Sequence, residues 1–151
     1  MAGASVFDVA NWFLQKEPMS HKKLQKLTYY AYAWALTLMN DDPDEIHYYL
    51  FNDDEPQAWV HGPVFPSLYQ RYKSNGWEDI SPVEPTVSFS SEEEDILNQV
   101  WSIYGDMTGN QLESITHKES PWRNARGNLS PAESCRNTIC SEDIFRYYGS
   151  L

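Results

Sequence analysis

The sequence predicts a mainly α, single compact helical domain organised on one central helix, with a small β-hairpin set against it. Three observations lead there. Residues 20–40, SHKKLQKLTYYAYAWALTLMN, form the longest run of helical periodicity free of Gly and Pro. Two later stretches, residues 91–104 and 108–118, carry apolar stripes behind capping pairs. One region, residues 46–61, holds two short runs rich in aromatic and branched residues that read as paired strands. At 151 residues the chain reads as one domain spanning 1–151, long enough to bury roughly 70% of the surface its unfolded form exposes. Such a core needs no metal or disulfide to fold.

In chain order, residues 5–15 predict a first short helix, with Ser5 and Asp8 as a capping pair and Val6, Phe7, Val9, Ala10, Phe13 and Leu14 as a broad apolar face. Lys16, Glu17 and Pro18 break it. In the central helix Ser20 is the expected N-cap. Leu24, Leu27, Ala31, Trp34, Ala35 and Leu38 form one apolar stripe, and Gln25, Tyr29, Tyr32 and Leu36 a second line. Lys22, Lys23 and Lys26 fill most of the remainder near its start. Residues 46–51, IHYYLF, and 57–61, QAWVH, are the expected hairpin strands, joined by a polar loop at 52–56. Gly62, Pro63, Val64, Phe65 and Pro66 read as a rigid elbow. A helix over about 66–74 should follow, presenting Leu68, Tyr69 and Tyr72, with Asn75 and Gly76 as its exit. Three prolines keep 77–89 irregular. Ser91 with Glu94 predicts the start of the next helix, and Thr108 with Gln111 that of the one after. A helical turn near 122–126 and a terminal helix capped by Ser141 complete the reading.

Charge narrows the function classes. With 11 Lys and Arg against 22 Asp and Glu, the net charge of −11 opposes a phosphate backbone, so no nucleic-acid partner is expected and a basic protein partner suits the whole molecule better. The same charge also serves plain solubility. Residues 1–13 lack the basic start and clean apolar run of a signal peptide, and no apolar run approaches the roughly 20 residues that span a bilayer. A cytoplasmic protein with no membrane contact is expected. Cys135 and Cys140 have no second pair to complete a four-cysteine zinc site, so they read as reduced thiols, with no metal and no cofactor expected.

Catalytic motifs are thin. The chain has no glycine-rich phosphate loop, no GxSxG elbow and no HExxH pair. His117, in THKESPW, reads either as a proton-transfer group working with Glu119 or as a helix C-terminal histidine held by the dipole and nearby backbone. A binding surface is better supplied. Trp59, His61, Pro63, Phe65 and Tyr69 crowd around the elbow, and rigid aromatics make good interface anchors, although Trp59 and Phe65 read equally as core.

Four blocks carry a resemblance: KLQKLTYYAYAW, QAWVHGPVFPSLY, ITHKESPW and ICSEDIFRYY. In this order and spacing the chain resembles the Panacea domain, also called the SocA-like antitoxin domain. The resemblance implies a bacterial or phage toxin–antitoxin system, with a cognate protein toxin as partner and neutralisation by direct binding. One branch of the family implies delivery of the toxin to a cytosolic ATP-dependent protease. It implies no catalytic residues, hence no enzyme, and an added DNA-binding domain has no room in this length. Leu24, Leu27, Tyr30, Ala31 and Trp34 would be scaffold, and Trp59, Gly62, Pro63, Pro66 and Tyr69 would build the elbow. Thr116, His117, Pro121 and Trp122 would fix the second signature. The partner-binding residues expected on this reading are Trp59, His61, Pro63, Phe65, Tyr69, His117 and Trp122. Two other readings stand beside it: an orphan prophage protein acting as a proteolytic adaptor or defence inhibitor, and a small hydrolase or transferase built on His117.

Overall fold

The computed structural model describes residues 4–151. Helix α1 (Val6–Lys16) starts at Ser5, whose hydroxyl accepts from the Asp8 amide while the Asp8 carboxylate accepts from the Ser5 amide at 2.8 Å. Helix α2 (His21–Leu38) starts at Ser20, which accepts from the Lys23 amide. These are the expected caps. Helix α2 is the centre of the fold: residues 24–33 are all buried. Around it pack α1, the hairpin strand β2 (Gly62–Val64), α3 (Pro66–Tyr72), α4 (Ser91–Tyr104), α5 (Gly109–His117) and α7 (Ser141–Gly149).

Neighbours enclose α2 on more than its two apolar lines near its start but not on the Leu38 side of its last turn, and two expectations are corrected. Lys26 is only 1% exposed. It shares a third side of the helix with Tyr30 and Ala33, four and seven residues on, and lies beneath β2 and α5. Leu38, expected in the core stripe, is 55% exposed, while Leu36, Thr37 and Asn40 around it are buried, so it lies on the outward side of the last turn of α2.

The hairpin is also corrected. Strand β1 (Gln57–Trp59) pairs antiparallel with β2, in the register Gln57 to Val64, Ala58 to Pro63 and Trp59 to Gly62. The turn is therefore Val60 and His61, and the elbow residues themselves form the second strand. Residues 46–51 form no strand. Their backbone is served by Asn40 instead: its carbonyl accepts from the amides of His47 and Tyr48, and its amide donates to the Tyr48 carbonyl at 2.9 Å. Leu50 and Phe51 enter the core from this segment. On its other edge β1 meets residues 137–139, where Ala58 N donates to Asn137 O at 2.9 Å and Ile139 N to Pro56 O at 2.8 Å.

After α3 a 3-10 turn (Lys73–Asn75) ends at Gly76, with φ of 58°. Residues 77–89 are irregular, as expected, and are fastened by Ile80 to Met19 and by Val83 to the Asn11 side chain. Helix α4 is capped by Ser90 and Glu93, one residue before the expected pair. Both frames carry Ser followed by Glu at the third position; Glu94 accepts from the Trp12 indole at 2.9 Å instead of returning to the cap. Helix α5 starts at Thr108 with Gln111, as expected. Helix α6 (Ser120–Arg126) ends at Gly127, and α7 starts after Cys140, so Ser141 is the first helical residue and not the cap. The Ser141 hydroxyl meets the Tyr49 hydroxyl at 3.2 Å. Cys135 and Cys140 are both free thiols. Among the described residues no helix is long and apolar enough to cross a membrane.

Candidate functional site

The hairpin tip is shaped by one glycine. Gly62 has φ of 106°, a conformation that side chains rarely adopt, and a Cβ there would stand 2.8 Å from the Cε of Lys26 and 3.0 Å from the Thr116 hydroxyl. Its lack of a side chain lets the strand lie directly over the buried lysine. Among the described residues the Lys26 amine has one hydrogen-bond acceptor, the Pro63 carbonyl at 3.3 Å. Burial, offset in part by Glu113 and reinforced by Lys22, lowers its pKa to about 7. Gln25 closes the other end of the elbow: its carbonyl accepts from Phe65 N at 2.9 Å and its amide donates to Phe65 O at 3.3 Å.

The second signature folds onto the first. The Trp122 indole donates to the Trp59 carbonyl at 2.8 Å, and His117 stacks on Trp122 with ring centroids 4.1 Å apart. Glu113 is the hub of the charged side chains beside them. Its carboxylate pairs with Lys22, lies 3.2 Å from His61 Nδ1 and 3.9 Å from His117 Nε2. Burial alone would raise its pKa, but hydrogen bonds from Lys22 and His61 outweigh that and hold it low. Burial lowers the pKa of His117, against the pull of Glu113. Glu119 faces the other way, accepting from Tyr30 at 3.0 Å and from Tyr148 at 2.6 Å. Burial raises its pKa to about 7 despite those two donors. His117 therefore has Glu113, not Glu119, as its acidic neighbour.

Of the expected partner-binding residues, Trp59, His61, Pro63, Tyr69, His117 and Trp122 are brought together around the hairpin and α6. They differ in access. The His61 side chain is 71% exposed, and Trp59 and Tyr69 are half-buried against each other, centroids 4.9 Å apart. Pro63 and Trp122 are buried. Phe65 is fully buried among Tyr32 and Phe51, where it contributes about 2 kcal/mol of core burial.

Beside this cluster runs a groove of about 680 Å³ between the start of α2, the hairpin tip, the turn after α3 and residues 134–136. Its aromatic wall is Trp59, Tyr69 and Trp77, the last 95% exposed. Four of the chain's 11 Lys and Arg line it, namely Lys22, Lys26, Lys73 and Arg136, and none of its 22 Asp and Glu does. Sequence reasoning missed Lys26, Glu113, Lys73, Trp77 and Arg136 as site residues. Lys26 carried a signal, its shared helix side with Tyr30 and Ala33; Lys73, Trp77 and Arg136 reach the groove only through the path of the chain after α3 and after α6, and Glu113 joins the cluster through its contacts with Lys22 and His61. Among the described residues no group of three or more His, Cys, Asp or Glu is placed to hold a metal ion.

A family model described as "Antitoxin SocA-like, Panacea domain" matches residues 24–123. Comparison with curated proteins and with solved structures yields no match in either case. The matched span contains Gln25, Lys26, the whole hairpin, Glu113, His117 and Trp122, so most of the cluster lies within it.

Proposed function

The chain belongs to the SocA-like antitoxin family, Panacea domain, and from that membership we propose that it is an antitoxin that neutralises a cognate protein toxin by direct, stoichiometric binding. The observation that carries this reading is the family match across residues 24–123. The architecture supports it: the signature blocks build a rigid hairpin corner that presents half-buried aromatics beside an open groove, the arrangement of an interface anchor. The role is non-enzymatic and needs no cofactor. The working unit is the single domain 1–151, acting in the cytoplasm of a bacterium or on behalf of a phage. Its partner is a protein toxin, with a cytosolic ATP-dependent protease as a second partner if neutralisation ends in degradation.

Growth rescue tests the proposal. Each reading frame flanking the gene is induced alone and then together with this chain. One neighbour is expected to stop growth alone, to be rescued by co-expression, and to co-purify on a tag. A toxic neighbour that is neither rescued nor captured would overturn the reading.

A further inference from the structure

The groove beside the hairpin is opposite in sign to the molecule that contains it. We propose that it takes an acidic, aromatic-bearing segment of the protein partner, with carboxylates meeting Lys73, Arg136 and Lys26 and apolar side chains resting on Trp59 and Trp77. This deepens the antitoxin reading and rests on it for the identity of the partner.

Three observations carry the inference. First, the lining is selective: in a chain of net charge −11, no acidic side chain faces the groove. Second, its cations are not all spent internally. Lys22 is committed to Glu113 and Asn110, but Lys73 and Arg136 form no ion pair among the described residues. Arg136 instead lies over the Trp59 ring, 4.5 Å from its centroid, which holds the guanidinium at the rim. Third, the floor holds a fully buried amine, that of Lys26, with a single acceptor among the described residues. A lysine so placed has further N–H groups to offer, and a carboxylate reaching it would gain a charge-assisted hydrogen bond in a low-dielectric setting. The volume, about 680 Å³, falls in the range that encloses a few side chains. Nucleic acid would also meet cations and aromatics here, but the acidic remainder of the surface repels a long phosphate backbone, whereas a short acidic protein segment need touch only the groove.

The test uses the full chain and an unbiased probe. A random peptide library is panned against it, and the recovered peptides are synthesised with a fluorescent label for anisotropy titration. Enrichment in Asp and Glu together with aromatics is expected. Affinity should fall about tenfold or more in K73E/R136E, whose changes lie at exposed positions, and weaken with rising salt. Lys26→Met, checked for folding by circular dichroism, should lose affinity without losing the library's aromatic preference. No enrichment, enrichment in Lys and Arg, equal binding by K73E/R136E, or tighter binding of a labelled single-stranded oligonucleotide would each overturn the proposal. The two readings fail separately: if K73E/R136E rescues growth from the toxin as well as the wild type does, antitoxin activity stands and this groove is not its site.

Discussion

At the residue scale, the site depends on a few side chains whose surroundings work against their usual preferences. Gly62→Ala would place a methyl group into the Lys26 side chain at φ of 106°. Strain of this kind costs about 1–3 kcal/mol, so the denaturation midpoint should fall; an unchanged midpoint would mean the hairpin tip adapts freely. Glu119 makes a prediction about pH. Its folded pKa is raised from 4.5 to about 7, so between these values the folded chain holds a proton that the unfolded chain has released. Stability from this group is therefore lost as pH rises through that window, about 3 kcal/mol in full above pH 7. Glu119→Gln stays neutral and keeps an acceptor for one tyrosine, so its stability relative to the wild type should climb between pH 4.5 and 7. A constant difference across that range would contradict the assignment. Lys26 acts in the opposite sense: with its pKa lowered from 10.5 to about 7, stability rises with pH between those values, and Lys26→Met should flatten that rise. Burial of these two groups was not legible from residue type, because a lysine or glutamate is normally solvated. Both are buried by partners distant in sequence, Gly62 and Thr116 over one, Tyr148 beside the other.

At the element scale, helices were legible because their signals are local. Periodicity marked α1, α2, α4, α5 and α7; capping pairs marked the starts of α1 and α5 to the residue, and the single N-cap Ser20 that of α2. Where two adjacent frames offered the same pair, at 90–93 and 91–94, local reasoning had no means to choose. Ser90→Ala should cost about 1 kcal/mol, and Ser91→Ala much less, as read from urea unfolding; the reverse order would move the cap. The hairpin was misplaced for a different reason. An aromatic segment has the same alternation whether its backbone is paired in a ladder or served by one side chain, and Asn40 takes the ladder's place for residues 47 and 48. The true second strand was masked by Gly62 and Pro63, residues that usually break strands. Pro63 is tolerated because it lies at the open edge of a two-stranded sheet.

At the scale of the whole molecule, composition described the surface on average and concealed the one place that departs from it. A net charge of −11 pointed to a basic partner, yet the groove gathers cations alone. Charge totals cannot reveal such segregation, because Lys22, Lys73 and Arg136 meet only through the return of residues 134–136 to the hairpin. The order of the four blocks was the most informative global signal, and the structure gives a physical reason: Trp122 holds the Trp59 backbone and Gln25 holds that of Phe65, so the blocks brace one another. On the antitoxin reading, this braced corner meets the toxin directly. The most direct measurement is a calorimetric titration of the purified chain against the toxin recovered from the neighbouring frame, with Trp59→Ala and Tyr69→Ala in parallel. Saturable binding at a fixed stoichiometry is expected, weakened by about 2 kcal/mol or more in at least one folded variant. Growth rescue with no measurable binding, or equal affinity in wild type and both variants, would contradict that reading.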